Sequence, residues 1–313
     1  MSGCGRGSVG GVVMSERLPK GPEWGTFLLM LACYGLWFAA LSLLPEVSLL
    51  LAIASTSVLV AFHSSLTHEA LHGHPFRSKV LNEILMAPQL NMMIPYNRFR
   101  DTHLAHHRDE KLTDPYDDPE SNFLDPVVWQ QKTIWQRRIY RANNTLLGRM
   151  VLGPIIGQIC FLASDARAAL QGDRSVIWAW VVFVPGLAVV LWLVSLTPMP
   201  LWAYCIAAYL GLGLVKIRTF LEHRAHEQTH ARTVIVESRG PLAFLFLNNN
   251  FHVVHHLHPG VPWYALPRLY RDRREEFLSA NDNYTYSCYG QVFRRYFLRS
   301  KDPVPHPLWQ PGE

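Results

Sequence analysis

The chain has little charge and few cysteines. Of its 313 residues only 17% are Asp, Glu, Lys or Arg, against roughly a quarter in soluble globular proteins. Five cysteines, at 4, 33, 160, 205 and 288, are odd in number, far apart and form no CxxC pair. A disulfide scaffold is excluded, and no cysteine cluster offers a seat for an iron–sulfur centre. Disorder is excluded by 12% aromatic and 49% hydrophobic residues. The net charge of +5 has no basic stripe or reading motif behind it, so nucleic acid is not an expected partner.

The charge deficit is local. Gly25 to Leu44 is an uncharged apolar run long enough to span hydrocarbon as a helix. After Pro45 and Glu46 a second run, Val47 to Phe62, continues through His63 toward Leu66. Val176 to Thr197 is a third, broken by Pro198 and Pro200, and Leu201 to Val215 a fourth. Connections this short make each pair an antiparallel hairpin. Leu81–Tyr96, Val151–Ala163 and Pro241–Phe251 are shorter or more polar, and read as helices lying in or dipping into the interface.

Neither hairpin turn holds a Lys or Arg. Those residues fall in the N-terminal segment, in Arg77–Arg174 and after Val215, which places these parts on the cytoplasmic side of a multi-pass membrane protein. The lipid bilayer is therefore an expected partner. A soluble protein with buried helices is the alternative, and the one-sided charge argues against it. The expected division is a mobile Gly- and Ser-rich tail without secretory-signal features over 1–20, a membrane domain over 21–299 and a C-terminal tail over 300–313.

Fifteen histidines stand out, and most are clustered. The first cluster reads His68-Glu-Ala-Leu-His72-Gly-His74, the second His103-Leu-Ala-His106-His107, the third His252-Val-Val-His255-His256-Leu-His258. Residues three or four apart share one helical face. Each box can therefore aim its imidazoles at one point, and imidazole is the common ligand of Zn, Fe, Cu and Ni. Eight such rings exceed what one metal takes, so two metals fit the count. All three boxes fall on the same side of the membrane in the expected topology.

HxxxH, HxxHH and HxxHH in this order, around two membrane hairpins, resemble the membrane fatty acid desaturase and hydroxylase superfamily, and within it the bacterial acyl-lipid desaturases. The chain lacks the NYxEHYG pattern of the alkane monooxygenase branch, and the carotenoid ketolase and hydroxylase branches share the boxes in different surroundings. The resemblance runs from about Gly25 to Arg299. It implies an all-α bundle of four transmembrane helices under a cytosolic helical cap, with a non-haem di-iron centre between them. By position it assigns His68, His72, His103, His106, His107, His252, His255 and His256 as iron ligands, with His223 after the fourth span as the ninth. It implies O2 as co-substrate, a membrane lipid or fatty acyl substrate and an external ferredoxin- or rubredoxin-like electron donor.

Carboxylates beside the boxes are expected to orient imidazole N–H groups. Asp114 is the first choice among Glu69, Asp101, Asp114, Asp117, Asp118 and Glu222. His74 and His258 extend their boxes and are assigned supporting roles, as are His226 and the amides Asn248, Asn249 and Asn250. Arg98, Arg100, Arg268 and Arg271 are candidates for a head group or the electron donor, or are ordinary positive-inside charge. The expected reaction is a double bond introduced into an acyl chain, with hydroxylation of a lipid, alkane or terpenoid as the alternative. A metal transporter is a third reading, disfavoured because the spans carry almost no polar groups before their cytoplasmic ends.

Overall fold

The computed structural model describes residues 21–107 and 111–309. The expected N-terminal tail therefore lies outside the described residues.

Helix α1 (Trp24–Val47) and helix α2 (Leu49–Leu71) form the first hairpin. The helix runs through Pro45, near its C-terminal end, and the turn falls instead at Ser48. A proline in a last turn removes only one helical bond. Ser48 is extended, and its hydroxyl caps α2 by accepting from Leu51 N at 3.3 Å. Helix α2 continues to Leu71, which carries the first box to the helix end.

After helix α3 (Lys79–Met86) the chain is irregular up to helix α4 (Tyr96–His106). Residues 87–95 are inserted among the long helices rather than laid on a surface. The Tyr34 hydroxyl of α1 donates to Leu85 O at 2.9 Å, and that of Tyr204 to Leu90 O at 2.7 Å. Gln89 and Asn91 are buried here and bond to one another and to the loop's own backbone. Non-helical backbone surrounded by apolar helices needs such internal partners.

Helices α5 (Pro126–Gln131) and α6 (Ile134–Asn143) lead to α7 (Leu146–Leu170). This 25-residue helix is longer than the expected interfacial segment Val151–Ala163. It joins α1, α2, α8 (Arg174–Ser195) and α9 (Leu201–Thr219) as one of five helices long and apolar enough to cross a membrane. Its N-terminal part lies against the C-terminal half of α9, where Tyr209 donates to Val151 O and a Cβ on Gly213 would lie 2.6 Å from Met150 O. Toward its other end Asp165 is clamped by Arg98 of α4, at 2.9 and 2.7 Å, and by Trp180 of α8 at 2.8 Å. Gly211 of α9 packs so closely on α2 that a Cβ there would stand 2.7 Å from Val60 Cβ.

Beyond α9 the chain forms a polar C-terminal lobe. It contains β1 (Ile235–Val236), α10 (Pro241–Leu245), α11 (His252–Leu257), α12 (Leu266–Asp272), α13 (Arg274–Ala280), β2 (Thr285–Tyr286) and α14 (Tyr289–Tyr296). The strands pair in parallel, Ile235 with Thr285 and Val236 with Tyr286. Ile235, Phe251, Val254, Leu266 and Phe277 form the core that seats α11. Pro241–Phe251, expected in the interface, belongs largely to this lobe. Residues 300–309, expected as a tail, are folded. Lys301 Nζ donates to His223 O at 2.7 Å, Leu124 bridges Pro305, and His306 is buried against Phe123 with Nε2 3.1 Å from the Thr113 hydroxyl.

Candidate metal centre

The end of α2, helix α4, the turn after α9 and helix α11 meet at one place. The nine histidines singled out in the sequence divide there into two groups. His68, His72, His103, His107 and His255 form one, and His106, His223, His252 and His256 the other. Within each group the ligand-capable atoms lie within 4.8 Å of one another, and each group could hold a metal ion. The groups abut, with the His107 and His256 rings stacked at 4.3 Å.

Helical spacing explains the division. His103 and His107 are four apart on and just beyond α4 and turn to the first group, while His106, about 100° away, turns to the second. The same offset on α11 sends His255 one way and His252 and His256 the other.

The outer ring nitrogens show which tautomer is present. His103 Nδ1 donates to Glu120 Oε1 at 2.9 Å, His106 Nδ1 to Asp118 Oδ1 at 2.7 Å, and His252 Nδ1 to Asn249 Oδ1 at 3.0 Å. With Nδ1–H turned outward, the Nε2 lone pairs point inward. There Nε2 atoms crowd together, at 2.9 Å for His106 with His223, 3.2 Å for His252 with His223, 3.0 Å for His107 with His103 and 3.1 Å for His255 with His107. His68 Nε2 and His72 Nε2 are buried with no hydrogen-bond partner. Converging lone pairs repel and buried acceptors without partners are costly, whereas a cation satisfies both. Two cis nitrogens on one metal at ~2.1 Å stand about 3.0 Å apart, the spacing seen here. The residues present fit a pair of transition-metal ions.

The electrostatics agree. Burial holds His72, His223, His252, His255 and His256 well below the usual imidazole range, so they stand neutral as ligands must. His106 differs. Burial lowers it, but the carboxylates of Glu120 and Asp118 outweigh that and hold it up at about 9, so this position favours positive charge.

Several expected supports lie elsewhere. Asp114 touches no histidine of the groups. Its Oδ1 accepts from Tyr116 N and Asp117 N and shapes the turn. The role falls to Asp118, one of the candidates read from the sequence, and to Glu120, which was not among them. Both sit on an irregular loop, so no helical period connects them to the histidines. Glu69, though next to His68, accepts from Trp263 N at 3.2 Å. His74 pairs with Glu23 instead. Glu222 stands 2.8 Å from Arg218 and 3.7 Å from His252 Nδ1, beyond hydrogen-bond reach of the ring. His226 bonds within its own turn at Gln228, and His258 faces Arg273. Asn249 alone of the three consecutive amides meets a histidine, since Asn248 binds Trp263 O and Asn250 the backbone of Val236 and Ser238. Asp101 pairs with Arg100, Asp117 with Lys111, Arg98 with Asp165 and Arg268 with Asp272.

Long apolar helices carrying two abutting clusters of imidazoles define a membrane protein with a candidate dimetal site. The family model for fatty acid desaturases matches residues 42–287, and the chain belongs to this family of membrane oxidoreductases. It is also similar to a protein named beta-carotene ketolase from Paracoccus sp. (strain N81106 / MBIC 01143), with 26% identity over 252 residues, 76% of this chain and 86% of that protein.

Proposed function

We propose that the protein is an O2-dependent di-iron oxidoreductase that introduces a double bond into a fatty acyl chain of a membrane lipid. The observation that carries this reading is the division of nine histidines into two abutting groups with inward-facing Nε2 atoms. The family membership supports it. An unactivated C–H bond is beyond acid–base groups at neutral pH, and a reduced iron pair with O2 supplies the oxidising power. His68, His72, His103, His107 and His255 hold one iron, and His106, His223, His252 and His256 the other. Asp118, Glu120 and Asn249 keep His106, His103 and His252 in the Nε2-ligating tautomer and aim their rings. For each double bond, two hydrogens leave the chain. With two electrons and two protons supplied from outside, O2 becomes two waters. The electrons come from an external ferredoxin- or rubredoxin-like carrier.

A second reading, oxygen insertion at a C–H carbon of a lipid, alkane or terpenoid, is favoured by the similarity to a protein named as a ketolase. Incubating the full-length protein with reductant, O2 and candidate lipids separates the two by mass. Loss of two hydrogens supports desaturation, and gain of an oxygen atom supports insertion. His106→Ala abolishes either product, and a variant that stays active contradicts the ligand assignment.

The histidine side is read as cytoplasmic from the Lys and Arg placement, with four spans rather than five. The C-terminal ends of α2 and α9 both reach the histidine groups. Helix α8 is antiparallel to α9, so its N-terminus also lies at the histidine end. Helix α7 touches α9 near that end and joins α8 through Gln171–Asp173. Both ends of α7 then fall on the histidine side, and the helix dips into the interface without crossing.

A further inference from the structure

A cavity lies outside the metal centre, between the start of α1 and the lobe segments that flank the third box. Its volume is about 560 Å³, and its walls include Gly25, Leu29, Phe244, Trp263 and Tyr264, with Glu23 among them. It is continuous with the apolar exterior. Trp24 and Leu28 beside it on α1 are 61% exposed, and the wall residues Phe244 and Tyr264 are half exposed.

Trp263 ties this wall to the helix bearing the first box. Its backbone N–H donates to Glu69, the neighbour of His68, and its indole N–H lies 3.3 Å from Thr26 Oγ1 of α1. The ring meets Phe244, which stacks on Phe62 of α2 at 5.3 Å. The cavity is therefore bounded on one side by residues bonded directly to the metal-bearing part of α2.

We propose that this cavity is the bilayer-side mouth of the site, and that it takes an uncharged hydrocarbon segment, a chain or ring, rather than an anionic end-group. The inference rests on the reading of the site as an oxidoreductase of membrane lipids. Aromatic and aliphatic walls suit an apolar guest. Among the described residues no Lys or Arg lines the cavity, and the one carboxylate in its wall, Glu23, is already engaged by His74 and the Thr26 hydroxyl. A free carboxylate or phosphate would have to shed its water among apolar walls with no cation to receive it, which disfavours an anionic guest. A lipid with an anionic head would present its hydrocarbon end here and keep its head outside.

The test uses the full-length protein in nanodiscs and two photo-reactive probes, a long-chain alkane carrying a diazirine and the same chain ending in a carboxylate. An ideal Cβ on Gly25 meets no atom within 4 Å, so Gly25→Leu adds bulk at the mouth without a clash, and Leu29→Trp fills the wall. The expected result is labelling of peptides containing Leu29, Phe244 or Tyr264 by the alkane probe, cut about tenfold by either filling variant. The carboxylate probe labels these peptides several-fold less. Labelling confined to outward helix faces, equal labelling by both probes, or labelling unchanged in both variants overturns the proposal. His106→Ala protein is labelled in parallel. Cavity labelling that persists there, or in wild-type protein that oxidises no lipid, keeps a failure of the proposed reaction distinct from a failure of the mouth.

Discussion

Replacing Asp118 by Asn keeps the side chain's size and removes its charge, which makes it a clean perturbation of one support. Asp118 Oδ1 accepts from His106 Nδ1 at 2.7 Å and from Glu120 N at 2.9 Å, and Oδ2 accepts from Thr113 N at 2.9 Å. The Asp118 and His106 side chains are only 2% and 1% exposed, so solvent screens the pair little. An amide has one acceptor where the carboxylate has two, and it leaves either His106 Nδ1–H or Thr113 N–H facing a donor. Loss of such a support lowers metal affinity by about 10–100-fold, or ~1.4–2.7 kcal/mol. Chelator competition on the full-length protein, followed by metal analysis, reads this directly, with thermal unfolding run alongside. The second histidine group should lose its metal first. Asp114→Asn is the control, since Asp114 only shapes the turn, and its affinity should match wild type. Unaltered affinity in Asp118→Asn, or equal weakening in Asp114→Asn, would refute the reasoning.

Gly211→Ala places a Cβ 2.7 Å from Val60 Cβ and 2.8 Å from Ser57 O, so the α2–α9 contact must open. A loss of about 1–3 kcal/mol in stability is expected, read as a lower unfolding temperature in detergent, and no change would show that these helices separate freely. His306→Ala leaves the buried Thr113 hydroxyl without the ring nitrogen 3.1 Å away and should cost roughly 1–3 kcal/mol, with weaker metal retention because Thr113 anchors Asp118. Retention equal to wild type would remove residues 300–309 from the account of the site. In a background without native cysteines, Gly172→Cys should react with an impermeant thiol reagent from the side where the histidines lie and Thr197→Cys from the opposite side. Gly172→Cys reacting from the side opposite the histidines would mean that α7 crosses the bilayer, and reaction of both from one side would mean that α8 does not.

Eight of the nine histidines were legible because helices impose a period, and His223 through the family resemblance, which marks the position after the fourth span. His68 with His72, and the two HxxHH boxes, carry their geometry in their spacing, and the short hairpins brought distant boxes to one end of the bundle. What spacing could not convey is anything held by loops. Asp118 and Glu120 reach the rings from an irregular turn whose shape depends on Thr113 and His306, nearly two hundred residues apart in sequence. Asp114 was the first choice because it closely follows the second box in sequence, but its carboxylate turns to the loop's own backbone. Pro45 marked the first turn only approximately, since the last turn of a helix tolerates it. Residues 87–95 were readable as apolar but not as a loop inserted between helices, because their partners Tyr34 and Tyr204 lie on other spans. The length of α7 was hidden by Arg149 and Asp165, which the fold buries with partners.

The central claim is that each histidine group holds its own metal. Iron content per chain should be measured on full-length protein loaded under reducing conditions, for wild type, His72→Ala and His252→Ala. The account predicts about two irons in wild type and about one in each variant, with different groups emptied. A single iron in wild type, or two irons retained in both variants, would contradict it.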